Sequence, residues 1–240
     1  MKSFGKWRTR VVFVISVVAG AAGNSANGAG IANLPAITPA MDCAAVTQLD
    51  LAGVTDAPVT IRSATIVAAG TGAQPVSPAP YCLVRGTIAP ANTIVMRLPT
   101  QGWTQHYLQT GCGGLCGSAN IGYGQGAACL PVRDGTIASA TTDMGHQGGG
   151  FNATWAVNNP QARIDFAYRG MHVTAQVAKA IIAKFYGQSA RYSYFNGCSD
   201  GGREALMEAQ RYPMTSTASR PARLRTTWSC KTTFTMGGTW

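Results

Sequence analysis

The run Gly197-Cys198-Ser199-Asp200-Gly201 constrains the fold most, because of the segments on either side of it. It follows a short aromatic run at residues 192–196, which suits a buried strand, and it opens residues 201–212, which are rich in helix formers. A G-x-S-x-G run between a strand and a helix is typical of a sharp turn that exposes the serine. The sequence therefore predicts a strand, turn and helix with Ser199 at the turn. The alternative is a glycine-rich helix start with Ser199 as an ordinary N-cap.

Short apolar runs broken by Pro, Gly and Thr precede this unit and are typical of strands joined by turns. The predicted strands cover residues 59–66, 81–88, 103–110 and 137–140. Val173, Val177 and Ile181 then recur at i, i+4 and i+8 and predict a helix that ends at Gly187. Strands that alternate with helices predict an α/β fold with a mainly parallel sheet, here preceded by a β-rich N-terminal segment.

The first thirty residues have the pattern of a secretory signal peptide. A cationic stretch is followed by an apolar run at residues 11–22 and then by small residues. The apolar run is shorter than the roughly 20 residues that span a membrane, although an uncleaved amphipathic anchor is an alternative. We therefore expect a periplasmic or secreted protein with no membrane association after cleavage of residues 1–30.

The formal net charge of +10 at pH 7 is concentrated at the two ends of the chain. Eight of the nineteen basic residues lie there without an accompanying acid: Lys2, Lys6, Arg8, Arg10, Arg220, Arg223, Arg225 and Lys231. The remaining eleven face nine acidic residues, so the middle of the chain is nearly neutral. Nucleic-acid binding needs clustered Lys and Arg, and we expect no nucleic-acid partner.

Several blocks in the same order resemble the tannase and feruloyl esterase family. They are residues 109–115 (QTGCGGL), 142–148 (TDMGHQG), 164–169 (IDFAYR) with 172–174 (HVT), and 192–213 (YSYFNGCSDGGREALMEAQRYP). Weaker similarity around Cys43 and Tyr81-Cys82 extends the resemblance to about residues 42–213. This region is therefore expected to be the N-terminal part of an α/β-hydrolase catalytic domain.

The resemblance implies a serine ester hydrolase that acts on phenolic esters, feruloyl or galloyl, through an acyl-enzyme. The expected substrate is a small-molecule or a plant polysaccharide-linked phenolic ester. Ser199 matches the nucleophile. The backbone N–H of Asp200 and that of Gly113 or Gly114 are expected to form the oxyanion hole. A polyester-type serine hydrolase and a non-catalytic exported ligand-binding remnant are the alternatives.

The chain departs from the family after Ser199, where the family order requires an Asp and then a His. No histidine follows Ser199, and the last acid is Glu208. His106, His146 and His172 all lie upstream, and among them His146 is the least unsuitable base, although a role in loop structure is favoured. The family's calcium-binding lid would also follow this point, so we assign no metal and no cofactor.

From Met214 onward acids and periodicity vanish, and residues 214–240 are expected to be an aberrant, disordered tail. Our hypothesis is that a frameshift after Pro213, in the gene or in its sequencing, replaced the rest of the enzyme. We therefore expect the chain as given to be inactive.

Seven cysteines in an exported chain favour disulfides, and their odd number leaves at least one without an intrachain partner. Cys43 with Cys82 is the preferred pair. A second bond could form among Cys112, Cys116 and Cys129 in ways that the sequence leaves open. Two cysteines fall outside these pairings. The resemblance implies that Cys198 pairs with a cysteine beside the catalytic histidine, so truncation would leave Cys198 unpaired, and on the frameshift hypothesis Cys230 is accidental.

Overall fold

The computed structural model describes residues 34–124, 127, 130–213 and, for the backbone, 234–238. The predicted signal peptide, Cys129, Cys230 and most of the predicted tail lie outside the described residues. Within that tail, Phe234–Gly238 forms a strand. No helix in the described ranges is both long enough and apolar enough to cross a membrane.

A single mixed sheet of seven strands organises the described residues, with the spatial order β1-β2-β3-β5-β4-β6-β7. The strands are β1 Val59–Val67, β2 Tyr81–Ile88, β3 Asn92–Pro99, β4 His106–Thr110, β5 Ala138–Thr142, β6 Tyr192–Gly197 and β7 Phe234–Gly238. The predicted α/β class is thereby confirmed. The parallel pairs are β5–β4 and β4–β6, whereas β1, β2, β3 and β7 join the same sheet in antiparallel fashion. The described sheet is therefore mixed rather than mainly parallel, because the β-rich N-terminal segment and β7 pair directly with it.

Four α-helices and shorter helical turns accompany the sheet in the part of the chain that the structure describes. The α-helices are α1 Leu130–Arg133, α2 Pro160–Ile164, α3 Gly170–Tyr186 and α4 Asp200–Arg211. A π-helical turn, Asp165–Arg169, joins α2 to α3, and 3-10 turns occupy Cys43–Gln48 and Thr154–Ala156. Helix α3 ends at Tyr186 and is capped by Gly187, whose φ of 70° is left-handed and suits glycine.

The main core lies between α3 and the sheet. Val177, Ile181 and Ile182 are fully buried on the sheet-facing side of α3, and burial of each such side chain contributes about 1.5–3 kcal/mol. Trp103 closes one end of this core by stacking on Tyr186 with 3.9 Å between ring centroids. This packing fixes α3 on the sheet and so orders the strands that position the turn after β6.

Candidate active site

Ser199 occupies the sharp turn between β6 and α4. Its backbone has φ 59° and ψ −119°, a conformation that costs a non-glycine residue on the order of 1–3 kcal/mol. Ser199 is exposed. A strained turn that carries an exposed serine from a strand into a helix is the backbone form of a nucleophile elbow.

Three glycine backbones lie in direct contact beside this elbow. A Cβ added to Gly197 would overlap the carbonyl carbon of Gly201, and one added to Gly111 would lie 2.5 Å from the Cα of Gly201. The N–H of Gly111 also donates to the carbonyl of Asn196 at 2.9 Å. Because side chains would block these contacts, the glycines allow the loop after β4 to lie against the turn that carries Ser199.

The loop after β4 carries the glycines predicted for the oxyanion hole. The N–H of Cys112 donates to Oε1 of Glu204 at 3.0 Å, so this amide is turned toward α4. Gly113 comes next and is exposed, and Gly114 has a left-handed φ of 60°. The structure therefore brings the loop beside the elbow. That the N–H groups of Gly113 or Gly114 and of Asp200 bind an oxyanion stays a prediction.

Asp200, the residue after Ser199, is held by Arg203 in the first turn of α4. Nε and Nη2 of Arg203 donate to the two carboxylate oxygens of Asp200 at 2.6 and 3.0 Å. The same guanidinium donates to the carbonyls of Phe166 and Ala167 at 2.9 Å each. This fork of bonds ties the start of α4 to the π-helical turn and fixes the orientation of the elbow.

The surroundings of His106 and His172 argue against either residue acting as the catalytic base. His106 is fully buried at the start of β4, its Nδ1 lies 3.1 Å from Oγ1 of Thr104, and burial lowers the pKa of the imidazole. His172 lies in the first turn of α3, where its Nδ1 is 3.1 Å from Oε1 of Glu208. The ring of His172 also stacks on Tyr212, with 3.5 Å between centroids.

His146, the least unsuitable candidate base, joins two loops. Its Nε2 lies 2.8 Å from the carbonyl of Leu115, in the loop after β4. Its ring is buried and stacks on Trp155 with 3.7 Å between centroids. These contacts give His146 a structural role in holding the predicted oxyanion loop.

The sequence model of tannase and feruloyl esterase matches residues 82–216, which is more than half of the 240-residue chain. The chain belongs to the tannase and feruloyl esterase family. An uncharacterised esterase of Xanthomonas campestris pv. campestris is 37% identical over 164 residues, which cover 64% of this chain and 27% of that protein. Mono(2-hydroxyethyl) terephthalate hydrolase of Piscinibacter sakaiensis is 36% identical over 153 residues, which cover 55% of this chain and 25% of that protein.

The fold is shared with a solved member of the tannase and feruloyl esterase family. The crystal structure of feruloyl esterase B from Aspergillus oryzae aligns with a TM-score of 0.59 at 26% identity, over 72% of this chain and 34% of that one. The chain thus spans about a quarter to a third of the length of these relatives.

Four of the five described cysteines of this family member form two disulfides. Cys43 is bonded to Cys82, which is the preferred pair, and Cys112 is bonded to Cys116. The second bond selects one of the pairings that the sequence left open. Cys198, beside Ser199, is exposed.

Sequence reasoning missed Glu204, which it treated as one helix former among several. The side chain is fully buried beneath the loop after β4, and burial raises the pKa of its carboxyl to about 8. No local sequence signal marks this burial, because it arises from contact with Cys112, about 90 residues upstream.

A cavity of about 560 Å³ lies elsewhere, between the segment around Asp56 and the helices, and includes Tyr168, Arg169, His172 and Tyr212 in its lining. None of the predicted site residues lines it. The elbow and its neighbouring loop, rather than this cavity, are therefore the candidate active site of this family member.

Proposed function

We propose that this chain carries the nucleophile and the oxyanion-binding elements of a carboxylic ester hydrolase that acts on phenolic esters, feruloyl or galloyl. The observation that carries the proposal is the backbone of Ser199, with its positive φ, between β6 and α4. The family match and the presence of a feruloyl esterase among the solved structures support the substrate class.

In the proposed reaction Oγ of Ser199 attacks the ester carbonyl and forms a tetrahedral intermediate. The N–H groups of Asp200 and of Gly113 or Gly114 donate to the oxyanion, because negative charge at the start of a helix is stabilised by its free amides. Collapse releases the alcohol and leaves an acyl group on Ser199. Water then hydrolyses this acyl-enzyme and releases the phenolic acid.

The attack needs a base to take the proton of Ser199, and the three histidines precede Ser199 and are held by other groups. Loss of a triad member costs about 10⁴- to 10⁶-fold in turnover. We therefore expect the chain as given to hydrolyse methyl ferulate negligibly.

Imidazole added to the buffer tests the proposal by supplying a base from outside. We expect a hydrolysis rate that rises with imidazole concentration and requires Ser199, because the added base would act together with the proposed oxyanion site. The readout is release of ferulate, with imidazole alone as the blank. Ser118→Ala, at another exposed serine, should keep the imidazole-dependent increase in hydrolysis rate. Ser199→Ala should remove this increase. An increment that survives Ser199→Ala would overturn the assignment of the nucleophile.

The match to mono(2-hydroxyethyl) terephthalate hydrolase favours a second candidate, a polyester-type substrate such as a terephthalate monoester. A panel of methyl ferulate, methyl gallate and mono(2-hydroxyethyl) terephthalate under the same conditions separates the two. A Ser199-dependent rate on the terephthalate ester alone would select the second candidate. Specific ligand binding without such a rate on any of the three would select the non-catalytic alternative.

We also propose that the protein is exported. The disulfides Cys43–Cys82 and Cys112–Cys116 fit an oxidising compartment, and they agree with the signal-like pattern of residues 1–30. Fractionation of cells that express the whole gene, followed by N-terminal sequencing, tests this proposal.

A further inference from the structure

Four side chains with metal-ligating atoms meet where the loop after β4 covers α4. Cys112 and Cys116 come from the loop, and Asp200 and Glu204 come from the first two turns of the helix. One ligand atom from each lies within 4.8 Å of the others. The sequence distance between loop and helix, about 90 residues, makes this a tertiary cluster rather than a local one.

Glu204 gives this cluster an uncompensated buried carboxyl. Oε1 accepts the N–H of Cys112 at 3.0 Å and lies 2.8 Å from Sγ of Cys112. Oε2 is buried and has no hydrogen-bond partner within the part of the chain that the structure describes. A buried carboxylate oxygen without a partner is disfavoured, and a bound cation would supply the missing partner.

We propose that the dithiol form of Cys112 and Cys116 binds one zinc-class divalent cation together with Glu204 and Asp200. Two thiolates and two carboxylates suit a four-coordinate borderline-soft ion such as Zn²⁺ and do not suit Ca²⁺ or Mg²⁺, which take oxygen ligands. Arg203, which donates to both oxygens of Asp200, would be the outer partner that orients this ligand.

The redox state of the cysteines decides whether this cation can bind. In the structure Cys112 and Cys116 form a disulfide, whose sulfurs are not thiolate ligands. A phosphine opens the S–S bond: phosphorus takes the oxygen of one water molecule to become a phosphine oxide, and the two hydrogens end on the two sulfurs. The cation then displaces the two thiol protons into solvent. The site is therefore open in the reduced chain and closed in the oxidised chain.

Cobalt(II) is the probe for the full 240-residue chain, because its spectrum reports thiolate ligation and tetrahedral geometry directly. After reduction with a phosphine under anaerobic conditions, we expect one Co²⁺ per chain with thiolate-to-metal charge-transfer absorption, and its loss on addition of Zn²⁺. The oxidised chain should show neither. A reduced chain without thiolate-ligated cobalt would overturn the proposal.

Variants assign the signal to this cluster. Reduction also opens Cys43–Cys82, so the double variant Cys43→Ser, Cys82→Ser must keep the cobalt spectrum, and Cys112→Ser must abolish it. Retention of the spectrum in Cys112→Ser would overturn the proposal.

The carboxylate ligand is tested by a matched pair on one helix. Loss of an outer-shell partner alone weakens metal binding roughly 10- to 100-fold, so Glu204→Gln should weaken Zn²⁺ binding by at least about tenfold. Glu208→Gln, the same change one turn further along α4, should leave it unaltered. Equal Zn²⁺ affinities of the two variants would contradict the role of Glu204. The test uses no ester substrate and therefore stands apart from the proposed hydrolase activity.

Discussion

The backbone of Ser199 stores strain that its side chain cannot relieve. At φ 59° and ψ −119°, any residue with a Cβ is disfavoured by on the order of 1–3 kcal/mol, whereas glycine is not. Glycine also gains more conformational entropy on unfolding, and this offsets roughly 0.5–1 kcal/mol of its advantage at this position. We therefore expect Ser199→Gly to be more stable than Ser199→Ala by about 1 kcal/mol. Urea unfolding of the two variants measures this difference, and equal midpoints would argue against strain at the elbow.

Ser199 could be found from the sequence, whereas Glu204 could not. The position of Ser199 follows from a local pattern, in which the glycines, the strand before it and the helix after it are neighbours in the chain. The burial of Glu204 depends on Cys112 and the rest of a loop that lies about 90 residues upstream. Helix propensity treats a glutamate as a solvent-facing helix former, so only the tertiary contact shows that it is buried.

The contact between the loop after β4 and the start of α4 depends on glycine. A Cβ on Gly111 would lie 2.5 Å from Cα and 3.0 Å from the carbonyl oxygen of Gly201. The Cβ would meet backbone, which cannot move aside as a flexible side chain would, so we expect Gly111→Ala to destabilise the fold by about 1–3 kcal/mol.

Gly113→Ala is the matched control for this element, because a Cβ there meets no atom within 4 Å. Its unfolding free energy should stay within about 0.5 kcal/mol of the parent chain. Denaturant unfolding followed by tryptophan fluorescence measures both variants. Similar losses of stability for Gly111→Ala and Gly113→Ala would mean that the loop does not lie against α4 in this way.

The strands and helices lie close to the positions that the apolar pattern predicts, except where residues with a left-handed backbone interrupt the extended chain. The predicted strand at residues 81–88 is β2 without change. The predicted strand at 103–110 begins only at His106, because Gly102 and Gln105 have left-handed φ values of 68° and 61° that interrupt the extended chain. The sheet order was not predictable from the pattern, since the insertion of β4 between β5 and β6 is a long-range choice.

At the scale of the whole molecule, the disulfide Cys43–Cys82 ties the N-terminal 3-10 turn to β2 across a sequence separation of 39 residues. A cross-link of this loop length stabilises a fold by about 3–4 kcal/mol through the unfolded chain. The bond Cys112–Cys116 has a separation of only 4 residues and should contribute about 2 kcal/mol. Paired Cys→Ala variants of each bond, compared by denaturant unfolding, should show the larger loss for Cys43 and Cys82, and the reverse order would contradict the loop-length argument.

Arg169 joins the segment before β1 to the π-helical turn between α2 and α3. This ion pair predicts how the stability of the fold depends on pH. Its guanidinium donates to both carboxylate oxygens of Asp56 at 2.7 and 2.9 Å, and these bonds hold the pKa of Asp56 below its ordinary value of 3.8. A carboxyl with a lowered pKa in the folded state binds fewer protons there than in the unfolded chain. The contribution of Asp56 to the stability of the fold is therefore present above pH 3.8, and it is lost as the pH falls through the pKa of Asp56 in the folded state.

Asp56→Asn should accordingly lower stability at neutral pH and weaken the loss of stability of the parent chain below about pH 4. The effect should be small, because the carboxylate of Asp56 is 61% exposed and solvent screens the pair. Asp50→Asn is the matched control, since Asp50 is exposed and accepts a hydrogen bond from the nearby N–H of Ala52. The urea midpoints of the parent chain, Asp56→Asn and Asp50→Asn, measured from pH 3 to pH 7, test this prediction. Parallel curves for Asp56→Asn and the parent chain would mean that the ion pair with Arg169 does not hold these two parts of the molecule together.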